Sequence, residues 1–279
     1  MPEATTLSSQ DLFDRIGTAG SPVVIDARSE EDFAADPRLI PASIRRPGLK
    51  AADWAGDFAG RGVVVSCDRG LKLSQGAAAW LRHAGATAQS LDGGFQAWKA
   101  AGLPLVPVEK LPPRDAGGRT LWVTRARPKI DRIACPWLIG RFVDPAAVFL
   151  FVESSQAAAV AERFGATPFD IEGVAWSHRG ARCTFDTMIE EFGLTIRPLQ
   201  HLATIVRGAD TGRPELAPES AGLLAASLGL SQMFGDDLAQ LDAGLTLYDA
   251  FYRWARDAAE ETHNWPAAKP AAPAGRAHV

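Results

Sequence analysis

Gly62-Val63-Val64-Val65-Ser66-Cys67-Asp68-Arg69-Gly70-Leu71-Lys72 is the stretch that decides the fold of the first part of this chain. Gly62 to Ser66 reads as a short buried strand, because three consecutive β-branched residues favour a pleated conformation and the run is too brief for a helix. The alanine-rich run from Ser74 to His83 reads as a helix. The six-residue loop from Cys67 to Lys72 thus sets a thiol just before a helix start. Unpaired backbone N–H groups and the positive end of the dipole there favour an anion. Arg69 and Lys72 add positive charge, so Cys67 is expected to act as a nucleophile at neutral pH. The plainer alternative is an inert buried cysteine, the common state of a free thiol. Val63 to Val65 fit that alternative; the polar, glycine-bearing loop does not. Asp68 opposes ionisation of its neighbour, one carboxylate set against two cations and a helix start.

The flanking segments sharpen this reading. Val23-Val24-Ile25-Asp26-Ala27-Arg28, followed by Glu30, Glu31 and Phe33, resembles the opening signature of rhodanese domains. Leu91-Asp92-Gly93-Gly94-Phe95-Gln96-Ala97-Trp98, followed by Ala101-Gly102-Leu103-Pro104, resembles their closing signature. With the cysteine loop between them, the resemblance covers about residues 7 to 107. It implies an α/β fold, a rhodanese-like parallel sheet with flanking helices, over residues 1–107. It also implies a sulfurtransferase: Cys67 takes sulfur from a small anionic donor such as thiosulfate, holds it as a persulfide, and passes it to a thiol or cyanide acceptor. Arg69 and Lys72 would assist catalysis, and Asp68, Gly70 and Leu71 would line the donor site, their N–H groups forming an anion nest. Such chemistry requires no cofactor. Two departures bear on donor preference. Leu39-Ile40-Pro41-Ala42-Ser43 stands where the family usually has His-Ile-Pro-Gly-Ala, and Asp68 stands where a basic residue is common. A phosphatase or arsenate reductase of the same fold needs a longer loop ending in arginine, and position 74 is Ser74, so that reading falls.

With 279 residues, the chain has room for two domains of ordinary size. Hydrophobic content of 47% and charged content of 22% are those of a soluble globular protein. Three scattered cysteines form no disulfide framework and suit a reducing compartment. The first 20 residues contain Glu3, Asp11 and Asp14 without an apolar run, so no secretory signal is expected, and no stretch is apolar enough to span a membrane. A cytoplasmic location is the expectation. A net charge of −4 argues against general nucleic-acid binding.

Residues 108–118 hold Pro112, Pro113, Gly117 and Gly118 and read as a linker. A second unit spans 119–257, and the Ala- and Pro-rich tail 258–279 is expected to be disordered. In the second unit, Thr120–Thr124 and Ala147–Val152 read as buried strands, with a third short strand near Phe169 to Ile171. Helices are expected over 155–164, capped by Ser154 or Ser155, and over 185–192, 199–207, 217–228 and 236–256. The last carries Leu238, Leu241, Leu245, Tyr248 and Tyr252 at helical spacing, a core-facing stripe. The unit is α/β passing into mainly α-helical.

Its chemistry is bunched in short phrases: Arg125 to Trp137, His178 to Asp186, Arg207 to Asp210, and Tyr248-Asp249. These resemble the C-terminal domain of chromate-resistance proteins of the ChrB type over nearly all of 119–257. Cys135, His178 and Cys183 are residue types that bind Zn or Fe, and Asp131, Asp186 or Asp210 would complete the set. The alternatives are a core cysteine and a histidine bonded to a backbone carbonyl. Arg125, Arg127 and Arg132 suit a tetrahedral oxyanion such as chromate; solvated surface arginines are the bland alternative. A rival to sulfur transfer is a chromate-responsive regulator, or oxyanion- or metal-binding protein, whose rhodanese fold is silent. Over 119–257 acidic residues outnumber basic ones. Only Arg119 to Arg132 concentrates positive charge enough for a local phosphate contact with nucleic acid.

Overall fold

Val63 to Val65 sit in the centre of a five-stranded sheet. The computed structural model describes residues 5–261. In chain order the first unit comprises β1 (Thr6–Leu7), α1 (Ser9–Phe13), β2 (Val23–Asp26), α2 (Glu30–Ala35), β3 (Arg38–Leu39), β4 (Ser43–Arg45), α3 (Ala51–Trp54), β5 (Gly62–Ser66), α4 (Lys72–His83), β6 (Thr87–Leu91), α5 (Gly94–Ala100) and β7 (Val106–Pro107). The five strands run parallel in the order β1-β6-β5-β2-β4. Alternate residues of β2 and β5 point to opposite faces. Val63, Val65 and Ile25 pack with Trp54, Phe58 and Leu81 on one face. Val64 and Val24 pack with Phe95 and Trp98 on the other. Both faces are covered, as a parallel sheet requires.

The opening and closing signatures are joined by one buried cation. Arg28 Nη2 donates to Asp26 Oδ2 at 2.6 Å and to the Arg38 carbonyl, while Nη1 donates to the Asp36 carbonyl. Its guanidinium lies 3.8 Å from the ring centre of Phe95 in α5. A charge removed from water in this way needs partners on every side, and here it has them.

The second unit comprises β8 (Leu121–Arg125), α6 (Asp131–Leu138), β9 (Val148–Val152), α7 (Ala157–Phe164), β10 (Thr167–Pro168), α8 (Thr184–Glu191), α9 (Arg197–Asp210), α10 (Glu219–Met233) and α11 (Asp237–Asp257). β10, β8 and β9 form a parallel three-stranded sheet, followed by the four-helix array α8 to α11. The third strand lies at Thr167–Pro168, just before the expected position, while Phe169 makes only an isolated bridge to Trp176. Neither Ser154 nor Ser155 caps α7; both lie in a single tight turn that precedes it. Along α11, Leu241, Tyr248 and Tyr252 are buried as expected, but Leu238, in the first turn, is exposed. Helix α6 was not expected. Pro136 lies inside it, and Ile130 at its N-cap offers no side-chain hydrogen bond, so the usual start and stop signals are missing.

The segment 108–118 is ordered and packed: Leu111 lies against the core, and Lys110 pairs with Glu191 at 2.7 Å. One hydrophobic cluster runs without a break from Leu12, Ile16 and Trp98 to Trp137, Phe142 and Tyr252. Gly17, at φ 80°, has no room for a Cβ because the rings of Phe142 and Tyr252 press against it. Ala42 adopts φ 60°, and its N–H donates to the Phe142 carbonyl at 2.7 Å. The tail expectation for 258–279 lies outside the described residues from 262 onward.

Candidate functional site

Cys67 follows the C-terminal end of β5, where ligand sites gather in open parallel sheets. The loop after it is held from below by two backbone hydrogen bonds. Phe95 N–H donates to the Cys67 carbonyl at 2.9 Å and Gln96 N–H to the Asp68 carbonyl at 3.0 Å. A Cβ on Gly94 would strike the Cys67 carbonyl and Gly70 N, and one on Gly70 would strike the Leu91 carbonyl; both glycines also have positive φ. This close approach is the physical content of the Asp92-Gly93-Gly94-Phe95 signature. Along the loop, Cys67 and Gly70 are buried while Arg69, Leu71 and Lys72 are exposed. Among the described residues, none accepts a hydrogen bond from the N–H groups of Asp68, Arg69, Gly70 or Leu71. Unbonded donors in sequence ahead of α4 suit negative charge, although the Gly70 nitrogen is packed against the Gly93–Gly94 backbone.

Side chains refine the expectations. Cys67 is almost fully covered, and its thiol donates to Ser74 Oγ at 3.2 Å. Ser74 in turn donates to the Leu71 carbonyl, so the residue that set this loop apart from the phosphatases also orients the sulfur. Asp68 does not lean on the thiol: its Oδ1 accepts from Gln96 Nε2 at 2.7 Å, latching the loop to α5. Arg69 is exposed and lies 3.6 Å from Asp68, so these two charges offset each other. Lys72 makes no ion pair among the described residues and is the unopposed cation of the loop. Leu71 projects into solvent.

In the second unit the expected convergence of Cys135, His178 and Cys183 takes a different form. His178 Nε2 lies 3.4 Å from Asp131 Oδ2, 3.5 Å from Asp170 Oδ1 and 3.2 Å from Asp210 Oδ2. Neither cysteine is among the groups close enough to share an ion with His178, although the Cys183 thiol lies within hydrogen-bonding reach of Asp131. Both are fully buried in the core, where desolvation pushes each thiol well above its ordinary range and nearby Asp131 pushes it further. Cys183 sits at the N-cap of α8, its N–H donating to Asp186 Oδ2 at 3.0 Å. Asp186 is spent on that cap and on Arg207, 3.1 Å away, rather than on His178.

The three arginines also part company. Arg125 and Arg132 reach Asp170 Oδ2 at 3.2 and 3.3 Å, and Arg132 also donates to the Ala126 carbonyl. Their charge is offset by a buried carboxylate, which opposes the binding of a second anion there. Arg127 points elsewhere: its guanidinium donates to the Ser231 and Phe234 carbonyls at the end of α10, and its N–H to Asp237. Orphan carbonyls at a helix end are strong competitors for a guanidinium. The oxyanion pocket of Arg125, Arg127 and Arg132 is therefore replaced by an acidic cluster braced by two of them.

Asp170 was missed by sequence reasoning. It sits at φ 51° beyond β10, outside every phrase with repeated reactive residues. Ile130, directly before Asp131, adopts φ 39°, an outlying conformation for a β-branched residue. It is held by Ser227 Oγ on its N–H and by Tyr248 Oη donating to its carbonyl at 3.0 Å. Tyr248 therefore has a positioning role. Its neighbour Asp249 accepts from Trp137 Nε1 and Arg141 and is structural.

The cluster controls its own protons. Asp131, then Asp210 and Asp170, raise His178 to about 9. Burial, with Asp131 and Asp170, raises Asp210 to about 7. Both groups hold their proton more tightly folded than unfolded. Stability from His178 is complete below about 6.5 and lost as pH rises through 9; that from Asp210 falls between about 4 and 7. Melting curves in EDTA-containing buffer are expected to drop by roughly a few degrees from pH 6.5 to 9, discounted because His178 is partly exposed. His178→Gln should flatten that slope; an equal slope in wild type and variant would refute this account.

The fold and cysteine loop of the first unit are those of a rhodanese-like domain, and residues 8–101 match the family described as the rhodanese-like domain. Residues 122–255 match the family described as ChrB, C-terminal domain, so matches to two families follow one another along the chain. Protein ChrB of Cupriavidus metallidurans is similar to this chain, with 33% identity over 132 residues. The match covers 47% of this chain and 39% of that relative, so the chain spans well under half of the relative's length. Among solved structures, a rhodanese-related protein from Thermoplasma volcanium is 24% identical over 36% of this chain and 96% of its own, with a TM-score of 0.32. A thiosulfate sulfurtransferase from Pseudomonas aeruginosa is 29% identical over 39% of this chain and 21% of its own, with a TM-score of 0.32. No helix among the described residues is long and apolar enough to cross a membrane.

Proposed function

We propose that the chain is a sulfurtransferase that carries sulfur on Cys67, joined to a domain whose family links it to chromate resistance. The observation that carries this reading is the row of free N–H groups from Asp68 to Leu71 beside Cys67. A persulfide or a thiosulfate group is an anion and fits such a nest. In the first half-reaction the Cys67 thiol gives up its proton to solvent and its sulfur attacks the outer sulfur of the donor. A new S–S bond forms, and the donor's S–S bond breaks with its electron pair leaving on sulfite. In the second, a thiolate or cyanide attacks the outer sulfur and Cys67 leaves as thiolate. Lys72 is the cation that draws the donor in. Intact-mass spectrometry of the full chain after thiosulfate should show one added sulfur, mapped to Cys67 and removed by cyanide. No added sulfur, or sulfur on another cysteine, would overturn the proposal.

The second reading is a silent rhodanese fold serving a chromate-responsive regulator or binding protein. The close cover over Cys67 and the mutual offset of Asp68 and Arg69 favour it. Salt-dependent binding to promoter DNA by a preparation that transfers no sulfur would select it.

A further inference from the structure

We propose that Asp131, Asp170 and His178, with Asp210 beside the imidazole, form a site for one divalent first-row cation of the manganese, iron or zinc class. This inference is independent of sulfur transfer at Cys67.

Geometry comes first. Two ligands bonded to one ion at about 2.1 Å stand roughly 3.0–3.5 Å apart in octahedral or tetrahedral arrangements. His178 Nε2 lies 3.2 to 3.5 Å from an oxygen of each of the three carboxylates. Donor atoms of Asp131, Asp170 and His178 all fall within 4.8 Å of one another. The four residues come from the start of α6, the segment after β10, the segment before α8 and the end of α9, so the fold gathers them from four places.

An unmet need in the core supplies the second observation. Asp131 is 1% exposed, and its Oδ2 accepts the Thr184 N–H at 2.5 Å. Its Oδ1 is fully buried and has no hydrogen-bond partner. A buried carboxylate with an oxygen left without a good partner is costly; a cation bound to Asp131 through Oδ2, the oxygen that faces His178, would offset the cost of burying this charge beside the Cys183 thiol. The supporting groups are those that orient metal ligands. Thr184 Oγ1 donates to Asp170 Oδ1 at 3.0 Å, while Arg125 and Arg132 hold Asp170 Oδ2. The other side of the site opens on a cleft lined by Arg125, Glu172, Ser177 and His178, through which an ion and its water can enter.

Carboxylates with one imidazole favour a borderline-hard cation over a thiophilic one. An ion here would need the neutral imidazole of His178, its Nε2 facing the carboxylates, so that ligation is through that nitrogen.

The test uses the full chain stripped with EDTA, then titrated with Mn2+ and, separately, Zn2+. Equilibrium dialysis with elemental analysis counts ions, and electron paramagnetic resonance follows bound Mn2+. The expected result is one ion per chain, with His178→Ala and Asp210→Asn each weakening binding about 100-fold or more; both side chains reach solvent, so folding is checked by circular dichroism. Cys135→Ala and Cys183→Ala should bind the ion as wild type does. Stoichiometry near zero in the wild type, or binding unchanged in both site variants, would overturn the proposal; so would loss of the ion in a folded cysteine variant.

Discussion

Cys67→Ser is expected to abolish thiosulfate-to-cyanide sulfur transfer, by at least about 10³-fold, while the protein remains folded. Serine's hydroxyl stays protonated at neutral pH and cannot carry sulfur. The substitution is nearly isosteric, and a hydroxyl can donate to Ser74 Oγ as the thiol does. No other cysteine can take over. Cys135 and Cys183 are fully buried, and burial holds both as neutral thiols. Steady-state rates and circular dichroism on the same samples decide the matter. Activity within about tenfold of wild type would remove Cys67 from the mechanism.

The second large effect is expected at Gly94. Gly94→Ala sets a methyl group against the Cys67 carbonyl and Gly70 N, and places alanine at φ 59°. All the atoms it meets first are backbone, so no side chain can swing aside. Left-handed backbone alone costs an alanine about 1–2 kcal/mol. Displacing the loop should bring the total above about 3 kcal/mol. Gly102→Ala separates the two contributions, because Gly102 has φ 67° but open space around its Cβ position. It should lose only about 1 kcal/mol and keep sulfur transfer. Denaturant unfolding of both variants tests the comparison; equal losses would show that contact with the Cys67 loop does not matter.

The first unit was legible because its signals are local. A β-branched run, a loop of fixed length and a Gly-Gly pair each act within a few residues of where they stand in the chain. Even so, the reason for Asp68 lay in Gln96, 28 residues away, and no spacing rule points to it. In the second unit the reactive phrases were visible but their partners were not. Arg127, Arg125 and Arg132 look alike in sequence, yet one binds helix carbonyls and two brace Asp170. Cys135 and His178 look like co-ligands, yet burial assigns the thiol to the core and leaves the imidazole at a cleft. Asp131 and Asp210 could be nominated from their phrases. Asp170 could not, because only the parallel pairing of β10 with β8 brings it to the site. Helix α6 was hidden because its periodic apolar face is interrupted by Pro136, which the surrounding core tolerates.

The unbroken hydrophobic cluster has a thermodynamic consequence. Trp98, Phe142 and Tyr252 belong to one interior although they come from two families' worth of sequence. Cleaving the chain between residues 108 and 118 would leave each fragment with a wet apolar face, so each half is expected to lose stability on separation. The halves should melt in a single cooperative transition. Whatever binds tightly to the folded second half then raises the melting point of the cysteine loop as well, by the same free energy and without touching it. Loss of that ligand would be felt at Cys67 as a lowered tolerance of heat.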